Sequence, residues 1–209
     1  MILVGQYDSP FVRRVAITLH QYGIAFTRNP ISVFTDAAAM AAINPLVRIP
    51  SLVLDDGEVL IDSGAIIDYL DELAGPARAL TPRSGLERRR VVQLVAAATG
   101  AIDKAGAVVY ERHFHGPSAV NEEWLKRCRG QLEGGLQALE ERLTGEWFVD
   151  GRFTQADLTT GALLGYLNLR LSEVLAGARF PRLKAFSARC ESLRSFVAAR
   201  PSPAEVMPS

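Results

Sequence analysis

The chain has 209 residues, of which 48% are hydrophobic and 22% charged, with 23 basic and 23 acidic side chains. This is the balance of an ordinary globular protein, long enough for one large domain or two small ones. The lack of a basic excess argues against nucleic acid and against an anionic membrane surface as partners. The two cysteines, Cys128 and Cys190, form no CxxC pair, which argues against a disulfide-stapled secreted domain.

The N-terminal sequence MILVGQYDS has neither a charged region nor a long apolar run, so it does not resemble a signal peptide. No apolar stretch is expected to reach the roughly 20 residues that span a bilayer. We therefore expect no membrane partner and a cytoplasmic location.

The chain opens with a short buried strand at 2–5 and a helix that starts at Pro10. Proline suits the first turn of a helix because its missing N–H is not needed there. Gly23 stands where helices commonly end. Apolar residues between them recur at helical spacing, namely Val12, Val15, Ala16 and Leu19.

The next elements continue an alternation of strands and helices. They are predicted as a strand over 24–33, a helix over 35–43 and two strands over 51–54 and 58–61. Asp55-Asp56-Gly57 joins the last two strands and is typical of a hairpin. An apolar helix follows Asp62 and Ser63. The order β-α-β-α-β-β-α predicts a parallel pair made through the first crossover helix, with the hairpin as an antiparallel edge.

The composition changes after residue 75. Residues 76–85 are rich in glycine, proline and small side chains, which indicates a linker between a domain at 1–75 and a domain at 86–209. The second domain is helical in pattern, with helices predicted over about 86–113, 119–144, 155–170 and 182–198. The tail from Pro201 is expected to be loosely held.

Four stretches of this sequence resemble the cytosolic glutathione transferase superfamily. They are SPFVRRV, NPLVRIPSLV, LIDSGAIIDYL and FTQADLTTGALL. Each is weak alone, but their order and separations give a strong signal over nearly the whole chain. The resemblance is greatest to bacterial members with a serine at the first site. It implies a thioredoxin-like α/β N-terminal domain, an all-helical C-terminal domain and a homodimer.

Ser9 precedes the helix that starts at Pro10, so it is either a helix cap or a catalytic group. A helix N-terminus stabilises a thiolate, and a hydroxyl adds one hydrogen bond, so both lower a thiol pKa. The resemblance implies that Ser9 donates to the sulfur of glutathione and is not itself the nucleophile. Tyr7 is the competitor, because other branches use a tyrosine from this region.

The resemblance also implies the other glutathione contacts. A cis Ile49–Pro50 bond would present the backbone of Ile49 to the cysteinyl segment of glutathione; the alternative is a trans proline at a strand start. Asp62 and Ser63 cap a helix by themselves, and in the family they also bind the γ-glutamyl ammonium and carboxylate. Arg48 is either a surface cation or a ligand of the glycine carboxylate.

The electrophile pocket of the family lies between the domains. Asp103, Ala107 and Tyr110 share one helical stripe that could face it, although such stripes are more often core or interface. Thr154 and Asp157 have capping-box spacing and are assigned a structural role. His113 and His115 lack further ligands nearby, so no metal site is predicted.

The function implied is a glutathione transferase, an enzyme whose partners are glutathione and a small, mainly apolar electrophile. Glutathione is the co-substrate, and no metal or redox cofactor is expected. Two alternatives stay open. One is another glutathione-dependent enzyme, such as an isomerase, a dehalogenase or a peroxidase. The other is a non-catalytic binding or regulatory protein, because fold does not fix function.

Overall fold

A computed structural model describes residues 1–116 and 118–206, and it divides the chain into two compact units. The first unit consists of Met1–Arg83 and the segment that begins at Ser192, and the second spans Ser84–Glu191. The boundary between Arg83 and Ser84 falls within the linker predicted over 76–85. The segment after Ser192 belongs to the first unit, whereas the sequence-based domain limits place it with the helical part.

The first unit contains a four-stranded mixed sheet of order β2-β1-β3-β4. The strands are β1 (Ile2–Val4), β2 (Thr27–Asn29), β3 (Ser51–Val53) and β4 (Val59–Ile61). β1 pairs with β2 in parallel, and the pairs β1–β3 and β3–β4 are antiparallel. The parallel pair and the antiparallel hairpin are as predicted, while β2 is shorter than expected and ends before Pro30.

The described residues also form eight α-helices. They are α1 (Pro10–Tyr22), α2 (Ala37–Ala41), α3 (Ser63–Ala74), α4 (Gly85–Phe114), α5 (Glu122–Arg142), α6 (Gln155–Arg170), α7 (Pro181–Ser192) and α8 (Arg194–Ala198). Short 3-10 helices lie at Ser172–Leu175 and Pro203–Glu205. The four-stranded sheet with its helices and the helical second unit confirm the predicted fold class.

In the first unit, α1 lies at the centre of the helical layer. It packs against both α3 and α8, and most of its side chains are buried. It ends as predicted at Gly23, whose φ of 67° is the left-handed conformation that glycine adopts without cost. In the second unit, α4 packs against α5 and α6, and α6 is buried over most of its length.

The helix predicted over 182–198 is two helices. The helix is interrupted at Leu193, whose backbone is extended, with φ −69° and ψ 141°. This break coincides with the passage from the second unit to the first at Ser192. The apolar pattern continues through Phe196 because α8 buries that side chain in the other unit, so periodicity alone does not show the break.

α4 is long and apolar enough to cross a membrane by length and composition alone, with a mean hydropathy of 1.3 over 18 residues. The expectation that no such stretch exists was therefore wrong. Its buried residues nevertheless recur at helical spacing, which is typical of a core helix of a soluble protein. They are Val91, Leu94, Ala98, Ala101, Ile102, Ala105 and Val108.

The tail is held more firmly than expected. Residues Pro203–Glu205 form a 3-10 helix in the first unit, and Glu205 is only 7% exposed. The expectation of a loose tail was wrong up to Val206, and residues 207–209 lie outside the described residues.

Candidate active site

Ser9 occupies the N-cap of α1, at the end of the loop that follows β1. Its Oγ accepts a hydrogen bond from the backbone N–H of Val12 at 3.4 Å, a long distance for such a bond. The cap uses a lone pair of the oxygen, so the hydroxyl proton remains available to another acceptor. The first turn of α1 carries no acidic side chain, so none there offsets the positive potential of the helix N-terminus.

Tyr7 is placed less favourably for catalysis. Its side chain is 1% exposed, and its hydroxyl has no hydrogen-bond partner within the part of the chain that the structure describes. Arg28 Cζ lies 3.5 Å from the centroid of its ring. Burial raises the pKa of the Tyr7 phenol, and the charge of Arg28 opposes this only in part. Its burial makes the Tyr7 hydroxyl less accessible to a ligand thiolate than the half-buried Ser9.

The Ile49–Pro50 peptide bond is cis, as predicted. The preceding loop is organised by Asn44, a buried residue that the sequence patterns did not single out. Its Nδ2 donates to the carbonyl of Arg48 at 2.8 Å, and its Oδ1 accepts from the backbone N–H of Leu46 at 2.9 Å. The side chain of Arg48 is exposed and that of Ile49 is half-buried.

Gly5 brings the Ile49 loop to the start of α1. A Cβ added to Gly5 would lie 2.6 Å from Val12 Cγ2 and 2.9 Å from Ile49 Cβ. Its φ of +125° is also a conformation that other residues rarely adopt. The absence of a side chain here therefore allows β1, α1 and the Ile49 loop to meet beside Ser9.

Asp62 and Ser63 form the start of α3. Asp62 is exposed, and its Oδ1 accepts from the N–H of Gly64 at 2.7 Å, so the predicted cap is confirmed. Its φ of 70° is unusual for a residue with a side chain, and such conformations cluster at functional sites. Ser63 is buried, and its Oγ accepts a hydrogen bond from Arg14 Nη1 at 3.2 Å.

Arg14 is a second site residue that sequence reasoning missed. It lies on α1, is 3% exposed, and its Nε has no partner among the described residues. Burial lowers the pKa of its guanidinium to about 10, with the charge of Asp62 opposing, so it remains cationic at neutral pH. The available signal was an arginine pair, Arg13-Arg14, inside an otherwise apolar helix.

The sequence-family model of the glutathione S-transferase N-terminal domain matches residues 3–78. The family model of the glutathione S-transferase C-terminal domain matches residues 122–189. An uncharacterized GST-like protein of Escherichia coli K12, YibF, is 35% identical over 81% of this chain and 83% of its own. The chain belongs to the cytosolic glutathione transferase superfamily. Members of this superfamily use glutathione as their co-substrate.

Other comparisons extend this assignment. A maleylacetoacetate isomerase of Pseudomonas aeruginosa is 31% identical over 76% of this chain and 77% of its own length. A glutathione S-transferase of Methylobacillus flagellatus, solved with GSH bound, superposes with a TM-score of 0.89 at 29% identity. That superposition covers 96% of this chain and 99% of the other.

The remaining predicted residues lie in the second unit. Asp103, Ala107 and Tyr110 share one stripe of α4; Asp103 and Tyr110 are exposed, and Ala107 is half-buried. The stripe is separate from the core face of that helix. At the start of α6, Asp157 Oδ2 accepts from the N–H and the hydroxyl of Thr154, both at 2.8 Å, which confirms the predicted capping box.

Proposed function

We propose that this chain binds glutathione in its first unit and activates the thiol for attack on an electrophile. The observation that carries the proposal is the convergence of three segments on the N-terminus of α1. The backbone of Gly5 lies close to both Val12 and Ile49, Arg14 of the same helix donates to Ser63, and Ser9 caps that helix. These are the segments that would contact a peptide through its backbone, its amino terminus and its thiol.

In this proposal the γ-glutamyl end lies at the start of α3. The exposed Asp62 carboxylate receives the ammonium group. Ser63 accepts from Arg14, so its own proton is available to the carboxylate of the ligand. The backbone of Ile49 pairs with the cysteinyl segment, and Arg48, which is exposed, receives the glycine carboxylate.

The thiol then lies at Ser9. Its proton leaves to solvent, and the thiolate is stabilised by the Ser9 hydroxyl and by the helix N-terminus. The sulfur attacks an electrophilic carbon and forms a C–S bond, while the displaced electron pair leaves with a departing group or takes up a proton. Asp103, Ala107 and Tyr110 are proposed to contact the small apolar co-substrate. A homodimer in the cytoplasm completes the proposal, as the resemblance implies.

The relative named maleylacetoacetate isomerase favours glutathione-dependent isomerisation as a second candidate. The thiolate would add to the substrate and later leave it, so glutathione would not be consumed. Conjugation consumes one glutathione per turnover. Thiol consumption measured beside product formation therefore separates the two reactions.

Ser9→Ala is the central test, measured by calorimetric titration with glutathione and by thiolate absorbance against pH. Loss of one hydrogen bond to a charged acceptor, worth about 1.5–3 kcal/mol, should raise the pKa of the bound thiol by about 1–2. The conjugation rate at neutral pH should fall by roughly ten- to a hundred-fold. The affinity for glutathione should change little, because most contacts lie away from the sulfur.

Tyr7→Phe is the matched control, because the Tyr7 hydroxyl is buried without a partner among the described residues. It should leave the thiol pKa unchanged. A raised pKa in Tyr7→Phe with none in Ser9→Ala would move the catalytic role to Tyr7. No glutathione binding to the folded wild type would refute the whole proposal.

A further inference from the structure

The carboxylate of Glu205, in the 3-10 helix near the C-terminus, is buried against the loop that carries Ser9. Its Oε1 accepts from the backbone N–H of Tyr7 at 3.1 Å and pairs with the guanidinium of Arg28. Its Oε2 accepts from the N–H of Ser202 at 3.2 Å and from the Ser202 hydroxyl at 2.9 Å. Both carboxylate oxygens therefore accept hydrogen bonds, Oε2 from Ser202 of the same terminal segment and Oε1 from Tyr7 and Arg28 of the sheet and its loop.

This carboxylate is ionised at neutral pH. Burial is the largest single effect and by itself raises the pKa of Glu205. Hydrogen bonds from Tyr7 and Ser202, together with the charge of Arg28, outweigh it, so the pKa lies below its ordinary value. Hydrogen bonds to an ionised acceptor are stronger than those between neutral groups, so the bonds of Glu205 to Tyr7 and Ser202 are strong.

The hydrogen bond from the Tyr7 N–H to Glu205 holds the chain two residues before Ser9. The intervening loop is short, and the N–H of Ser9 donates to the carbonyl of Gln6 at 3.2 Å, so a hydrogen bond links Ser9 to the residue before Tyr7. Arg28 belongs to β2, the parallel neighbour of β1, and covers the Tyr7 ring. Glu205 thereby fixes Tyr7 from its backbone side, while Arg28 fixes its ring.

The same segment also holds the start of α1. Arg13 Nε donates to the carbonyl of Ala199 at 3.0 Å, and Arg13 Nη2 to that of Phe196 at 3.5 Å. Ser9 lies between Tyr7 and Arg13 in sequence, and both are bonded to residues that follow Ser192. The position of the Ser9 hydroxyl thus depends on the C-terminal segment from both sides.

We propose that Glu205 is a positioning residue that holds the loop at Tyr7 so that the Ser9 hydroxyl meets the glutathione sulfur. The inference rests on the proposed function of Ser9. It assigns the terminal segment a role in thiol activation and none in glutathione affinity. Within the described residues, Ile49, Asp62 and Ser63 make no hydrogen bond or ion pair with that segment. A displacement of well under 1 Å matters at such a site, since a misplacement of about 1 Å can cost roughly a hundred-fold in rate.

The test compares full-length Glu205→Ala and Glu205→Gln with wild type and Ser9→Ala. Thiolate absorbance against pH gives the pKa of bound glutathione, calorimetry gives its affinity, and chlorodinitrobenzene serves as the electrophile. Glu205→Ala should raise the thiol pKa and lower kcat about ten-fold, with the affinity for glutathione unchanged within about two-fold. Glu205→Gln keeps the length and one acceptor oxygen, so its effects should be smaller and its folding safer.

Glu140→Gln is the matched control for lost stability. Glu140 is also a buried carboxylate, and it accepts the N–H groups of Arg182 and Leu183 at 3.0 and 2.9 Å, but it belongs to the second unit. It should leave the thiol pKa unchanged. If Ser9→Ala raises the thiol pKa and neither Glu205 variant does, Glu205 is a structural residue only. If Ser9→Ala leaves that pKa unchanged as well, the proposed function fails and the role of Glu205 fails with it.

Discussion

The Ser63 hydroxyl accepts from a buried cation, and this single bond determines what Ser63 can offer a ligand. With its lone pair turned to Arg14 at 3.2 Å, its proton is directed elsewhere. The cation behind it also favours an anionic group in front. Because Asp62 is exposed beside it, the start of α3 presents opposite charges to the two charged groups of a γ-glutamyl end.

Arg14→Met separates binding from stability at this position. Methionine removes the charge and keeps much of the volume, and the charge that acts on Arg14, Asp62, is exposed, so no buried charge is left without a partner. The free energy of unfolding should therefore fall by less than about 1 kcal/mol. Glutathione affinity should nevertheless drop about ten-fold, because Ser63 loses its donor and the site loses a positive charge. Unchanged affinity in calorimetry would limit Arg14 to packing.

At the scale of elements, the site depends on the close approach of β1, α1 and the Ile49 loop. Gly5→Ala tests this approach. The new methyl group would lie 2.6 Å from Val12 Cγ2 at a φ of +125°, so overpacking and backbone strain add. Together they should cost about 2–4 kcal/mol of unfolding free energy, and the displaced Ile49 should weaken glutathione binding.

Gly23→Ala is its matched control. Gly23 also has a positive φ, of +67°, but a Cβ there meets no atom within 4 Å. Its cost should be limited to backbone strain of about 1 kcal/mol, with glutathione binding unchanged. Equal losses of unfolding free energy in the two variants would show that the Gly5 contact does not constrain the loop.

The second unit depends on the cap of α6. Asp157 is fully buried and accepts the N–H of Phe148 at 2.9 Å as well as two donors of Thr154. Asp157→Ala removes the acceptor from the buried N–H of Thr154 and from the part-buried N–H of Phe148, so unfolding free energy should fall by about 2–5 kcal/mol. Glu133→Ala, which breaks the exposed pair with Arg179 at 3.0 Å, should cost under about 1 kcal/mol. Similar losses in denaturant titration would contradict the structural role assigned to the Thr154–Asp157 capping box.

At the scale of the whole molecule, features that depend on neighbouring residues were predicted from the sequence, whereas contacts between distant residues were not. The element order of the first unit, the end of α1 at Gly23 and the Thr154–Asp157 box each rest on residues close in sequence, and the structure confirms them. The cis Ile49–Pro50 bond was implied by the family resemblance and is also confirmed. The hydrogen bond from the Tyr7 N–H to Glu205 joins residues 198 positions apart, and no sequence pattern near either residue indicates it. Arg14 was missed for the same reason, since its partner lies on α3.

The terminal segment gives the molecule a stability that depends on pH. The pKa of Glu205 is lowered in the folded chain from an ordinary value of 4.5, so the folded state favours the carboxylate. Its contribution to stability is therefore fully present above that value and is lost as pH falls through the lower, folded pKa. In Glu205→Gln the charge is absent at every pH, so this acid-dependent contribution is removed.

We therefore expect the unfolding free energy of wild type to exceed that of Glu205→Gln by about 1.5–3 kcal/mol at neutral pH. The difference should stay constant down to the ordinary pKa of a glutamate and shrink below it. Denaturant titrations of both proteins across the acid range measure it, and the protection factor of the Tyr7 amide, its exchange rate relative to an unprotected amide at the same pH, should fall in parallel in the wild type. A difference that persists unchanged in acid would mean that the buried carboxylate is not ionised, and the hold on the Ser9 loop would then rest on neutral hydrogen bonds alone.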